Sequence, residues 1–105
     1  MSESEFQVLA EATLAAIEHA VDATDADIEA SRAGNVLTLE LGNGSKVIIN
    51  SQAPMQQMWT AGKNGAFHYA RNGDKWIDTR DGSELFTALS RLISAQGDEA
   101  VMLRG

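Results

Sequence analysis

Apolar residues near the N-terminus recur with the spacing of a helix. Residues 3–24 contain no Gly or Pro, and apolar side chains return at steps of three and four. This period predicts an amphipathic helix that ends at about residue 24 and packs one face on a core. Ser2 followed by Glu5 is typical of a capping box, so we expect the helix to begin at residue 3. The predicted apolar face consists of Phe6, Leu9, Ala10, Thr13, Ile17, Ala20 and Val21.

From Ile28 onward the hydrophobic period changes to two. The leucines at 37, 39 and 41 alternate with more polar residues, which is typical of a half-buried strand. Turn sequences rich in Gly and Asn separate the later segments, so we expect strands that follow one another in an antiparallel meander. The predicted strands are residues 28–33, 36–41, 45–50, 57–61, 66–71 and 75–79.

A second helical pattern follows the predicted strands. The segment 81–84 resembles another capping box, and Gly97 is expected to end the helix. After it, residues 101–103 either fold back over a gap between the helices or form a frayed tail. The predicted core stripe consists of Leu85, Phe86, Leu89, Leu92 and Ile93.

The order of helix, strands and helix predicts an α+β fold. We expect a two-layer sandwich with the N- and C-terminal helices on one face of an antiparallel sheet of five to six strands. A chain of 105 residues with 44% hydrophobic content is expected to form one domain over residues 1–105. The other face of the sheet then meets solvent, where Trp59 is either an exposed anchor or a core residue. For Trp76 we favour packing in the core.

Charge is distributed unevenly along the chain. The first 31 residues hold eight of the fifteen acidic residues and none of the eight Lys and Arg residues. At helical spacing, four of these acids fall within an arc of roughly 60° opposite the apolar face. We call this line of carboxylates the acidic ridge; it consists of Glu11, Glu18, Asp22 and Asp25, with Asp27 and Glu29 as its extension.

Three interpretations of the acidic ridge stay open at this point. A solvated face that maintains solubility needs no further function. A cation site is the second, because carboxylate oxygens suit Mg²⁺, Ca²⁺, Mn²⁺ or iron, although ligands along one exposed face predict weak and unselective binding. A docking surface for a basic partner is the third, and its attraction falls with salt.

Composition excludes several functional classes. The chain has no Cys, so disulfides, thiolate metal sites and a Cys nucleophile are excluded. Its acidity makes nucleic acid a poor partner. No apolar run approaches the roughly 18 residues of a membrane span, and the acidic N-terminus argues against a signal peptide, so we expect a cytoplasmic protein. No catalytic motif is present, the acidic segment lacks the glycine of an EF-hand, and residues 42–46 lack P-loop spacing; we therefore expect no enzyme.

The middle of the chain resembles the bacterial branch of the frataxin family. The resemblance covers nearly the whole chain, and the pattern Asn-x-Gln-x-Pro-x-x-Gln-x-Trp over residues 50–59 is its most specific part. The acidic first helix and Ser4-Glu5-Phe6 also fit. Other resembling segments are Asn43–Asn50, Gly65–Tyr69, Gly73–Asp78 and Arg80, Gly82, Leu85 and Phe86.

That resemblance implies a fold and a function. The fold is the one expected above, and the function is iron–sulfur cluster assembly, with Fe²⁺ and Fe³⁺ bound by the first-helix acids. It implies docking on the cysteine desulfurase and its scaffold protein, which adjusts the rate of cluster formation. By the same resemblance, the iron-binding acids are expected to be Glu18, Asp22, Asp25 and Asp27, with Glu11 as a contributor. Of these, Glu18, Asp22 and Asp25 are expected to bind the desulfurase as well. Trp59, with Asn50 and Gln57, is expected to be a surface anchor for the scaffold protein.

The chain also departs from the family pattern. His19 stands where bacterial relatives often carry an acid, and the segment after Asp27 is shorter and less acidic, so the ridge is expected to hold fewer ions. His19 is a candidate nitrogen ligand, although it and His68 are more typical of surface residues. A monomer is expected, with an iron-dependent oligomer as the alternative. A pure interaction module with incidental metal binding and a ferroxidase or storage assembly are the competing functions.

Overall fold

The computed structural model, which describes residues 1–97 and 99–105, contains the elements in the predicted order. Two helices pack on one face of a six-stranded antiparallel sheet, so the expected α+β fold is confirmed. Neither helix in these ranges is long and apolar enough to cross a membrane. The elements are α1 (Glu3–Asp22), β1 (Ile28–Ala33), β2 (Val36–Leu41), β3 (Lys46–Gln52), β4 (Gln57–Gly62), β5 (Gly65–Asn72), β6 (Lys75–Asp78) and α2 (Leu85–Gln96).

The sheet is a simple meander in which each strand pairs with its neighbours in sequence. Its register places Leu39 opposite Val47, and Met58 between Ser51 and Tyr69. Because directly opposite residues of an antiparallel pair share a face, these side chains form the layer that the helices cover. The predicted alternation over β2 is confirmed, since its three leucines are all buried. We call the opposite surface of the sheet the open face.

Helix α1 begins as predicted and ends earlier than predicted. The Ser2 hydroxyl accepts a hydrogen bond from the backbone N–H of Glu5, and the Glu5 carboxylate accepts one from the N–H of Ser2. This backbone hydrogen bond from Ser2 lowers the pKa of the Glu5 carboxyl. The helix ends at Asp22, with the Ala23 N–H bonded to the His19 carbonyl. Asp25 therefore lies beyond the helix, and the predicted arc describes only the other three ridge acids.

Trp76 packs in the core, as predicted. Its ring is 3% exposed and meets Phe6 edge-on, with centroids 6.0 Å apart. The indole N–H donates to the Thr13 hydroxyl at 2.7 Å, and that hydroxyl donates to the Leu9 carbonyl at 2.7 Å. Both buried polar groups are thus satisfied, and Trp76 joins the far end of the sheet to α1.

The predicted capping box of α2 is wrong. Glu84 is itself the N-cap, and its carboxylate accepts hydrogen bonds from the N–H groups of Phe86 and Thr87. Asp81 instead accepts a hydrogen bond from the N–H of Ser83. A carboxylate at the N-cap satisfies the same free donors and complements the helix dipole, so Glu84 replaces the expected cap.

The other end of α2 is fixed by a buried glutamine that its sequence pattern does not reveal. The Gln96 side chain donates to the Lys46 carbonyl and accepts from the Lys63 N–H, at 2.9 and 2.7 Å. A Cβ on Gly62 would lie 2.8 Å from the Gln96 amide oxygen, so the glycine permits this approach. The predicted end at Gly97 is confirmed. Gln96 thereby ties α2 to two strand ends.

The C-terminal segment folds back on α2, which decides between the two alternatives for residues 101–103. Val101 and Leu103 are buried, and their N–H groups donate to the hydroxyls of Ser94 and Ser90 at 2.9 and 2.8 Å. Met102 points away and is exposed. The segment thus behaves like a strand beside a helix, with alternate residues in the core.

Burial of Tyr69 predicts a loss of stability in alkali. Tyr69 is 2% exposed, and desolvation by burial raises the pKa of its phenol to about 12 from 10.0. Between these pH values the unfolded state loses a proton that the folded state keeps, so stability falls with rising pH by about 2 kcal/mol.

We expect the Tyr69→Phe variant to lack this loss of stability in alkali, because it has no phenol to titrate. Urea unfolding of both proteins from pH 8.5 to 11.5 measures it, because other titrating groups are common to the two. The free-energy difference between them should change by about 2 kcal/mol in favour of the variant across this range. A difference independent of pH would contradict the assigned shift.

Candidate functional site

An arginine on the sheet pairs with one part of the acidic ridge and leaves the other part unpaired. Arg32 lies on the helix-facing side of β1, opposite Leu37. Its guanidinium forms an ion pair with Glu11 through Nη2 and a 2.8 Å hydrogen bond to Glu18 through Nη1. Its Nε donates to the Gly34 carbonyl at 3.3 Å, so all three nitrogens are engaged. The hydrogen bond to Glu18, followed by that to Glu11, raises the pKa of Arg32 above its ordinary value.

The other end of the acidic ridge keeps its negative charge. Asp22, Asp25 and Asp27 are exposed and have no Lys or Arg partner within the described ranges. They follow one another around the end of α1 into the connection before β1. In residues 1–97 and 99–105, however, no three His, Asp or Glu side chains converge as a metal site. This end can therefore attract cations, but it does not enclose one.

His19 and Glu29 occupy different positions relative to this end. His19 is exposed and borders a shallow groove together with Asp25 and with Arg104 of the C-terminal segment. Glu29 lies directly opposite Glu40 in the register, and therefore on the open face. The predicted extension of the acidic ridge to Glu29 is thus wrong in geometry, because the strand period turns that side chain away from α1.

Trp59 lies on the open face, which the sequence pattern alone left undecided. Its neighbours Met58 and Thr60 are buried under the helices, whereas Trp59 is half-buried on the other side. The indole stacks on His68 with centroids 4.2 Å apart and planes 10° from parallel. Its N–H donates to the Gln57 side chain at 2.9 Å.

These contacts hold Trp59 flat against the sheet, with Asn50 as its direct partner on β3. The three residues expected to bind a scaffold protein, namely Asn50, Gln57 and Trp59, thus form one continuous patch. Exposed Ile48 adds an apolar side chain to the same face. A flat aromatic surface with amide groups beside it suits protein contact better than a small-molecule pocket.

Comparison with known protein families shows which family this chain belongs to. The family described as Frataxin-like domain matches residues 1–99. The chain belongs to the frataxin family. Frataxin-family relatives with the name iron–sulfur cluster assembly protein CyaY include those of Cupriavidus pinatubonensis and Cupriavidus taiwanensis. The first is 56% identical and the alignment covers 98% of this chain and 96% of the relative; the second is 59% identical, with 91% and 90% covered.

Solved frataxin structures agree with the fold. Frataxin from Psychromonas ingrahamii has a TM-score of 0.92 and 40% identity, and all of both chains is covered. Trimeric frataxin from the yeast Saccharomyces cerevisiae, complexed with ferrous iron, has a TM-score of 0.65 at 22% identity, covering 91% of this chain and 86% of its own. At that identity the likeness concerns the fold alone. The predicted membership of the bacterial branch is confirmed by the Cupriavidus and Psychromonas relatives.

The contacts made by three residues of this frataxin surface were not predicted from the sequence. Arg32 belongs to no sequence motif. The available signal for an ion pair was its position as the first basic residue after eight acids. His68 stacks on Trp59 because the register places the two opposite each other. Glu99 reaches the start of β1, where its carboxylate accepts a hydrogen bond from the Asp27 N–H at 3.1 Å. The contacts of Arg32 and Glu99 join segments that are distant in sequence, whereas that of His68 joins two adjacent strands.

Proposed function

We propose that this frataxin is an iron-binding protein of iron–sulfur cluster assembly that acts in the cytoplasm without catalysing a reaction itself. It would serve as an iron donor, as a regulator of the cysteine desulfurase–scaffold complex, or as both. Support comes from family membership and from the name carried by relatives of 56% and 59% identity. The observation that carries the proposal is the uncompensated acidic end of α1, formed by Asp22, Asp25 and Asp27.

The exposure of these carboxylates suggests how iron is handled. Hard oxygen ligands suit Fe²⁺ and Fe³⁺, and also other divalent cations. Because Asp22 and Asp25 are exposed and not part of a convergent set in the described ranges, a bound ion keeps much of its water and exchanges readily. Weak and exchangeable binding suits a donor better than a storage protein.

We further propose that the protein is a monomer, with iron-driven oligomers as the alternative.

The acidic ridge is also proposed to dock on the cysteine desulfurase. Glu18, Asp22 and Asp25 would face a basic surface of that partner, and long-range attraction would speed the encounter. Trp59 with Asn50 and Gln57 would contact the scaffold protein across the open face. The two surfaces lie on opposite sides of the sheet, so both partners can be held at once.

A pure interaction module is the second candidate function. It is favoured by one observation: the described part of the chain has no convergent metal ligands. In that case cation binding is incidental, and the acidic ridge serves only as a docking surface.

An anaerobic Fe²⁺ titration followed by amide NMR separates the two candidates. With a tenfold excess of Mg²⁺ present throughout, we expect paramagnetic broadening confined to Asp22, Asp25 and their neighbours. In Asp22→Asn/Asp25→Asn this broadening should disappear, whereas the matched control Glu40→Gln/Asp74→Asn should retain it. Absence of broadening under Mg²⁺ would remove the iron-binding role and leave the interaction module.

Arg32 is expected to restrain cation binding to the acidic ridge. Because Arg32 pairs with both Glu11 and Glu18, Arg32→Gln should free these two carboxylates and raise the Mn²⁺ affinity by about threefold to tenfold. The cost in stability should be small, about 1 kcal/mol or less, since the pair lies at the surface. Isothermal titration calorimetry and urea unfolding measure the two effects.

Two control variants identify the cause of this change. Arg32→Lys keeps the positive charge, so its Mn²⁺ affinity should stay close to that of the wild type. Lys63→Gln removes one positive charge from an exposed turn away from the ridge and tests the effect of net charge. Equal affinities of Arg32→Gln and Lys63→Gln would show that net charge, not the ion pairs, controls binding.

A further inference from the structure

A small cleft lies where the acidic ridge meets the end of α2. It has a volume of about 230 Å³ and is bordered by Asp27 and Glu99. The floor is apolar and includes Leu41, Ile93 and Val101, all of them mostly buried. We propose that this cleft receives a single arginine side chain of a basic protein partner. The proposal rests on the docking role above and specifies the chemistry of the residue that is bound.

The two carboxylates at the rim provide the first argument. The Asp27 N–H donates to the Glu99 carboxylate at 3.1 Å, and both residues line the cleft. Neither acid has a Lys or Arg partner in residues 1–97 and 99–105. Two carboxylates that border one cleft without a cation attract one, and a planar guanidinium has enough donors for more than one acceptor.

The size and the floor of the cleft provide the second argument. Sites for drug-sized ligands span roughly 300 to 1,000 Å³, so this cleft suits one side chain rather than such a ligand. An arginine places its aliphatic stem on apolar surface while its charged end stays at the rim. Leu41, Ile93 and Val101 offer that surface. Because Asp27 also belongs to the acidic ridge, the arginine would come from the partner that docks there.

Gly42 provides a way to disturb the cleft without changing its charge. A Cβ at this position would lie 2.8 Å from Asp27 Oδ2 and 3.3 Å from Asp27 Cβ. The Asp27 carboxylate therefore packs directly against the bare backbone of Gly42. In Gly42→Ala the added methyl group must displace that carboxylate from the rim, while both acids remain.

The test is an amide NMR titration of the full chain with N-acetyl-arginine N-methylamide. We expect saturable shifts at Asp27, Gly42 and Val101, with half-saturation at tens of millimolar. Guanidinium chloride at the same ionic strength has no aliphatic stem, and should shift these amides at least threefold less. Equal shifts with both compounds would overturn the proposal.

Variants locate the binding. Gly42→Ala and Glu99→Gln should each reduce the shifts at least fivefold, and Glu40→Gln on the open face should leave them unchanged. Glu99 is exposed, so Glu99→Gln keeps the test valid if Gly42→Ala does not fold. Shifts that centre on Asp22 and are unaffected by either cleft variant would overturn the cleft while leaving ridge docking intact. A separate experiment tests the docking role itself. If the desulfurase still binds after the charge of the ridge is reversed, the docking role fails.

Discussion

Charge reversal by Asp22→Lys with Asp25→Lys is expected to lower the affinity for cysteine desulfurase by about 100-fold or more. Both side chains are exposed at the uncompensated end of the acidic ridge, so the variant places like charges against a basic partner. Stability should change by less than about 1 kcal/mol, because surface substitutions of this kind are nearly neutral. Asp22 occupies the last residue of α1, where a positive side chain complements the helix dipole.

Biolayer interferometry at several salt concentrations measures this effect, with urea unfolding to confirm the fold. The matched control, Glu40→Lys with Asp74→Lys, makes the same change in net charge at exposed positions outside the ridge, and should bind within about threefold of the wild type. Desulfurase binding that is retained by the ridge variant at 150 mM salt would contradict the docking role.

The two tryptophans are expected to respond in opposite ways to truncation. Trp76→Ala should lower the free energy of unfolding by about 3 to 5 kcal/mol, because it empties a buried site against Phe6. It also leaves the Thr13 hydroxyl without the indole N–H. Against a total stability of roughly 5 to 15 kcal/mol, this loss brings the protein close to unfolding. Urea unfolding measures it.

Trp59→Ala is expected to lose less than about 1 kcal/mol of stability, since the ring lies on the open face and its stack on His68 is partly solvated. Its affinity for the scaffold protein should instead fall by about tenfold to 100-fold, the size typical of an aromatic anchor. Trp76→Phe, which retains a ring against Phe6, should lie between Trp76→Ala and the wild type in stability. Unchanged scaffold binding by Trp59→Ala would remove the open face from the proposed interface.

Much of the fold was predictable because it depends on local pattern. The capping box of Ser2 and Glu5 needs only residues three apart, and the period of two over β2 reports which residues are buried. Strand bounds were predicted to within two residues, since Gly and Asn turns separate short apolar segments. The helix signals were weaker at the ends: Asp81–Glu84 contains several residues that can cap, and the local sequence did not show that Glu84 does so.

The candidate site was predictable in composition but only partly in arrangement. The excess of acids at the N-terminus and the family pattern around Trp59 identified the residues to consider. Their geometry depended on contacts between distant segments. Arg32 reaches back to Glu11 and Glu18, and Glu99 reaches across 72 residues to Asp27. No periodicity reports such pairs, because they arise when elements pack.

The sequence by itself determined the elements, their order and the concentration of negative charge, all of which follow from residue types and local spacing. Only the tertiary structure decided which face each strand residue occupies and which acids remain free. The alternation of a strand places Met58 and Trp59 on opposite faces of the sheet, but packing of the helices decides which face is covered. In the same way, the register turns Glu29 towards Glu40 and brings Arg32 under α1, so the acidic ridge keeps its free charge at Asp22, Asp25 and Asp27.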